Sequence, residues 1–243
     1  MTYVLVGAVG FILGLAANDL AIQSLDDDVS LRPLTGTCAR CHATRGWTHL
    51  RCQKCGAVPV REIFVVPTAV LASLAFALTV GLTWELIAYL AFLLLTTALM
   101  VTDLESFRIV DRLNLRGSLA VALLLGLVSV LAGHSDRLLR GLGGALAYFA
   151  GATVLFLIAR GRGFGAGDVK LAPQLGLFTG YLGWGVLGWA VMSTALMGGV
   201  IALILVVFGS GGRDTELPYG PPMILGSWLA IALVGVGAIP VPS

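Results

Sequence analysis

The sequence predicts an all-α polytopic membrane protein with about eight transmembrane helices and one small cysteine-bearing loop module. Three observations predict it. Of the 243 residues, 58% are hydrophobic and only 12% charged, against roughly 25% charged in soluble domains. A soluble fold would lack the polar surface to cover itself. The apolar residues are gathered into runs close to the roughly 20 residues that cross a bilayer as a helix. The runs also fail to alternate over about 10 residues as barrel strands do; Leu90–Val101 is apolar almost throughout. Thirty-two glycines suit membrane helices, where glycine is frequent. A net charge of +2 is too small to suggest nucleic acid as a partner.

The first run, Tyr3–Ile22, lacks the basic start and the small-residue cleavage site of a signal peptide, and is expected to be a retained helix. Residues 23–62 form the one non-membrane module. The membrane core, 63–243, follows as Ile63–Gly81, Trp84–Thr102, Leu115–Gly133, Leu142–Ala159, Trp184–Phe208 and Pro222–Ile239. An eighth, Val169–Tyr181, is short and carries Lys170; short segments are tolerated where they line a cavity.

Basic residues orient these runs. The loops after the first, third and fifth runs, and after Trp184–Phe208, hold all of the 15 Lys and Arg residues except Arg137 and Arg140. Placing these four loops in the cytoplasm fixes the first five helices and puts both termini outside. The basic loop residues can also meet anionic lipid headgroups or an acidic partner.

All four cysteines lie in the first loop, as Cys38-x-x-Cys41 and Cys52-x-x-Cys55, ten residues apart. Two such knuckles offer four thiolates in a tetrahedral arrangement suited to zinc, although about 15–20 residues is the commoner gap. Gly56 would permit the tight turn that follows a knuckle. The alternatives are two disulfides or unrelated thiols, and a reducing cytoplasm disfavours the first. Four cysteines close the coordination sphere, so the metal is expected to be structural. His42 and His49 are then surface residues.

Acidic residues at a membrane edge are costly and often functional. Asp103 follows an apolar run directly. Asp168 follows Gly163, Gly165 and Gly167 and opens the short segment. The topology puts both on the cytoplasmic side at similar depth, so they can meet across 65 residues of sequence. Two neighbouring carboxylates share a proton, which is the arrangement for activating a water against a peptide carbonyl. Gly165 and Gly167 would let a substrate backbone or a partner helix approach Asp168. A helix cap or a solvated helix end is the simpler alternative for each aspartate alone. Among the other carboxylates, Asp111 reads as an N-cap, Glu105 as water-facing, and Asp214 and Glu216 as solvated. Paired membrane carboxylates also serve ion-coupled transporters, which show internal repeats not found here. A zinc-organised scaffold without chemistry is a third reading.

At these segments the sequence resembles the type IV prepilin peptidases. Thr102-Asp103, continuing to Val110-Asp111, is similar to their first aspartate motif, with Val110 where a proline is usual. Gly165-Ala166-Gly167-Asp168 is similar to their G-x-G-D motif, shared by membrane proteases of the presenilin type. The stretch Leu175–Trp184, the Pro218–Pro222 segment and the position of the four-cysteine loop agree in character. The resemblance implies an inner-membrane aspartic endopeptidase using Asp103 and Asp168, with Lys170 and the two glycines nearby. Its substrate would be a prepilin or pseudopilin, with a basic leader held in the cytoplasm and an apolar helix entering between the enzyme's helices. Asp26, Asp27, Asp28, Glu105 and Asp111 would attract that leader. Many members also methylate the new N-terminus from S-adenosylmethionine. That activity is tied to a first-helix G-S-F-L-N pattern followed by an Arg; Gly14 and Asn18 agree here, while the middle differs and Asp19 follows with no Arg nearby.

Overall fold

A computed structural model describes residues 1–25, 34–36, 38, 40–41, 43, 52–56, 60–106, 109–159, 164–207 and 219–240. Asp26, Asp27, Asp28, His42, His49, Gly163, Asp214, Glu216 and Pro218 lie outside the described residues. So do Arg32, Arg45, Arg51, Arg108, Arg160, Arg162 and Arg213.

Among the described residues there are eight helices and no strand: α1 Thr2–Ser24, α2 Val60–Val80, α3 Glu85–Ser106, α4 Asp111–Leu131, α5 Ser135–Ala159, α6 Ala166–Leu182, α7 Trp184–Val207 and α8 Gly220–Gly235. Each expected run is found, often extended by a charged or polar end; α5 begins at Ser135, seven residues before its apolar run. Backbone hydrogen bonds continue past the hydrophobic stretch because a helix end carries its polar groups more cheaply in the interface than an earlier break would. Six helices are long and apolar enough to cross a membrane, α6 and α8 being the shorter ones. Large apolar side chains face outward along the bundle, such as Leu119, Leu123 and Leu127 on α4 and Leu196, Val200 and Leu203 on α7. This is a multi-pass membrane protein.

The short helix is enclosed. α6 buries Asp168, Leu171, Ala172 and every residue from Gln174 to Leu182, while Lys170 stays at the exposed rim. Polar bonds fix it from three sides: Tyr89 donates to the Phe178 carbonyl, Gln174 donates to Asn114, and Arg140 donates to the carbonyls of Gly180 and Tyr181 at its C-terminal end. Phe92 stacks on Phe178 at 4.2 Å, with Tyr89 edge-on to the same ring. Trp228 of α8 donates to Thr96 of α3, and Thr79 of α2 donates to the Ile231 carbonyl.

Glycine permits the closest contact. A methyl group at Gly144 on α5 would lie 2.5 Å from the Gly176 carbonyl oxygen and 2.9 Å from the Gly180 Cα, so the two backbones touch, as in other small-residue membrane interfaces. Gly144→Ala is expected to destabilise the bundle by about 1–3 kcal/mol, since backbone cannot step aside as a flexible side chain can. Gly151→Ala on the same helix meets open space and should be neutral or gain up to about 1 kcal/mol from helix propensity. Thermal midpoints of the purified variants in detergent measure the contrast; equal midpoints would refute it.

Candidate active site and cysteine cluster

Asp103 sits in the last turn of α3, where its charge opposes that helix's own dipole. The compensation comes from elsewhere. The N–H of Gly220, the first residue of α8, donates to Asp103 Oδ2 at 3.1 Å. The carboxylate therefore rests on the N-terminus of another helix, a ready anion site. Only glycine fits there, because a Cβ on Gly220 would lie 2.6 Å from that oxygen.

Asp168 is the third residue of α6, with Gly165 as N-cap. Its Oδ2 accepts the Gly165 N–H at 2.9 Å, while its own N–H donates to the Gly165 carbonyl. The capping role weighed for this residue is thus real, and it leaves the second carboxylate oxygen outside that bond. Both aspartates are buried, at 4% and 5% exposure, and lie close enough for the charge of Asp103 to act on Asp168.

Ile109 sits beside both aspartate sites. A Cβ at Gly167 would lie 3.1 Å from the Ile109 Cβ, and one at Gly220 would lie 3.5 Å from its Cδ1. The close approach expected at Gly167 is therefore made by the segment that follows α3. Tyr148 and Tyr219 are within electrostatic range of Asp168, and Tyr219 packs edge-on to Phe164 at 5.2 Å. Next to them is an apolar recess of about 270 Å³ between α5, α7 and α8, lined by Tyr148, Gly151, Phe164, Thr194, Tyr219 and Met223 among others.

The remaining residues singled out in the sequence have partners of their own. Asp111 is the first residue of α4 rather than its N-cap, which is Val110. Lys170 Nζ reaches the Asp111 carboxylate at 2.6 Å and ties α6 to α4 at the exposed rim, so its described partner is neither Asp103 nor Asp168. Glu105 is exposed as expected, yet holds Arg61 at 2.6 Å and so joins the ends of α2 and α3. Gly14 is consumed by packing, since a Cβ there would lie 2.9 Å from the Val66 Cα of α2. Asn18 is buried and donates to Glu62. Gly220, Ile109, Tyr148, Phe164 and Tyr219 were not singled out as site residues. The Gly-Pro-Pro sequence at the start of α8 marks a helix start, but nothing in it says which side chain will seat there.

A family model described as the type IV leader peptidase family matches residues 87–209, half of the chain. The chain belongs to the type IV leader peptidase family. The match contains both aspartates and leaves the cysteine loop outside. A prepilin leader peptidase/N-methyltransferase of Aeromonas hydrophila is 28% identical over 189 residues, covering 76% of this chain and 63% of the relative. Proteins of the same description from Pseudomonas aeruginosa (28% over 211 residues, 80% and 70% coverage) and Legionella pneumophila (26% over 182 residues, 74% and 62%) are also similar. The chain spans a little under two thirds of the length of the first of these relatives. No solved structure matches it significantly.

Outside the segment matched to the leader peptidase family, the four cysteines come together as free thiols. Their sulfurs all lie within 4.8 Å of one another, with Cys38 to Cys55 at 3.7 Å and Cys41 to Cys52 at 3.5 Å. A tetrahedron with metal–sulfur bonds of about 2.3 Å has edges of about 3.8 Å, so the cluster is close to the size a metal such as zinc requires. Gly56 has φ +70° and donates its N–H to the Cys52 carbonyl, the turn expected after the second knuckle. Backbone N–H groups of Cys55 and Lys54 pull the Cys52 thiol down to about 6, while, against the backbone N–H of Ala43, burial and the neighbouring sulfurs push Cys41 up to about 12.

Proposed function

We propose that this protein is an aspartic endopeptidase of the inner membrane that removes the leader of prepilin-like precursors on the cytoplasmic side. The observation that carries the reading is the pair Asp103 and Asp168, both buried, with Asp168 within electrostatic range of Asp103 and each carboxylate seated on the N-terminus of a helix. The N–H donors of Gly220 and Gly165 hold one oxygen of each acid and leave the other for a water. The pair shares a proton. One carboxylate takes a proton from the water as it attacks the scissile carbonyl, and the other donates to the developing oxyanion; protons then pass to the leaving amine. The pair titrates as a unit, so acid and base are not assigned to one residue each. The names and organisms of the relatives support the substrate class and the membrane. Neither the fold nor the relatives favour an ion-coupled transporter.

The substrate's apolar helix enters beside the recess between α5 and α7, and an apolar side chain next to the scissile bond fills it. Gly151→Leu is expected to raise KM about tenfold for a precursor with a large apolar residue there, since a few methylene groups in a pocket are worth 10–200-fold. A precursor with a small residue at that position should be spared. An equal loss for both would refute this use of the recess.

Zinc, held by Cys38, Cys41, Cys52 and Cys55, orders the loop between α1 and α2 without touching substrate. The relatives' names also carry an N-methyltransferase activity; we assign such an activity, with S-adenosylmethionine as the methyl donor, to the same end of the bundle. Among the described residues, the Asn18 Oδ1 and Arg61 Nη1 atoms are buried there without a partner, an acceptor and a donor suited to the ammonium and carboxylate of that cofactor. Incubating the purified protein with a prepilin and weighing the product tests cleavage; repeating it with S-adenosylmethionine reads the added methyl group.

A further inference from the structure

Arg137 and Arg140 are the two basic residues that the inside-positive pattern leaves on the far side. Both line a cavity of about 290 Å³, together with Thr83, Glu85, His134 and Tyr181. Glu85 and Asp103 stand at opposite ends of α3, 18 residues and so about 27 Å apart, and the cavity is therefore separate from the aspartate site. Its polar groups divide into two kinds. Glu85 is buried and already satisfied, meeting His134 Nδ1 at 2.5 Å and the Tyr181 hydroxyl at 3.5 Å. Arg140 spends Nε and one Nη on the carbonyls that end α6.

Arg137 has no hydrogen bond or ion pair among the described residues. It also stands in the first turn of α5, where a cation opposes the helix dipole. A cation disfavoured by both the membrane's charge asymmetry and its own helix, and left without an internal partner, is suited to an external one.

We propose that this cavity binds the headgroup of a phospholipid from the leaflet remote from the aspartates, with the phosphate on Arg137 and Arg140. Planar guanidinium forks match phosphate oxygens, and the cavity has the dimensions of a headgroup rather than of a protein segment. The Glu85 carboxylate in the cavity wall attracts an ammonium and gains nothing from a neutral glycerol, which selects phosphatidylethanolamine over phosphatidylglycerol.

The test is native mass spectrometry of the full chain in a maltoside detergent, titrated with phosphatidylethanolamine, phosphatidylglycerol, diacylglycerol or inorganic phosphate. The expected result is one retained phosphatidylethanolamine, about tenfold weaker in Arg137→Gln, as the loss of a charged hydrogen bond predicts, and restored in part by Arg137→Lys. Phosphatidylglycerol should bind more weakly and diacylglycerol not at all. Equal retention by wild type and Arg137→Gln, or by diacylglycerol, would overturn the site. Binding of inorganic phosphate without retention of any lipid would overturn the lipid as its occupant. No arm reads proteolysis, so the outcome is independent of the peptidase assignment.

Discussion

Asp103→Asn and Asp168→Asn should each reduce prepilin cleavage by about 10³-fold or more, while the thermal midpoint in detergent stays near that of the wild type. The rate loss follows from chemistry. An amide neither ionises to take a proton from water nor gives one up, and a positioned acid–base group contributes about 10²–10⁴-fold. With two carboxylates working as a unit, losing either should approach the loss of both. The preserved fold follows from the hydrogen bonds. Asn keeps an oxygen to accept the Gly220 N–H at position 103 and the Gly165 N–H at position 168. Alanine would instead leave a buried N–H unpaired at a cost of about 1–3 kcal/mol. Asp103→Ala should therefore lose both rate and stability, and the Asn variants rate alone. Cleavage within a few-fold of wild type in either Asn variant would end the aspartyl mechanism.

The second large effect is expected at the cysteines. One zinc per chain should be found by elemental analysis, and Cys38→Ser or Cys52→Ser should bring it below half. Structural zinc sites contribute an apparent 10–16 kcal/mol in small domains, more than the loop between α1 and α2 can replace by packing. Limited proteolysis should then cut that loop much faster, while far-ultraviolet circular dichroism of the eight helices is nearly unchanged. With all four ligands supplied by protein there is no open position for a water, so the cleavage that remains after chelation should still depend on Asp103. Full metal content in both variants would show that the thiols are not the ligands.

The sequence made the fold legible because the bilayer imposes a coarse rule. Apolar runs of fixed length must be helices, and even the enclosed α6 was found, on the strength of Val169–Tyr181. The helix ends were less legible. Ser135–Gly141, the first part of α5, carries three charged residues, and whether such a stretch is helix or loop depends on what Arg140 meets at the end of α6. Asp111 looked like a cap because a carboxylate before an apolar run commonly is one, but it bonds instead to Lys170, 59 residues away. Gly14 matched a motif position and proved to be where α1 touches Val66, since a glycine in a helix serves backbone contact as readily as a ligand.

Sequence alone determined that the chain is a bundle of membrane helices with a four-thiol knuckle and two boundary aspartates that topology places on one side. Those facts follow from hydropathy, charge asymmetry and local spacing, each readable within a short window. Only the tertiary structure decided that α8 begins against Asp103, that Ile109 lies beside both aspartate sites, and that α5, α7 and α8 leave an apolar recess near Asp168. Each depends on which helices become neighbours, a choice made by close packing at contacts such as Gly144 against Gly176. No window of sequence contains both sides of such a contact.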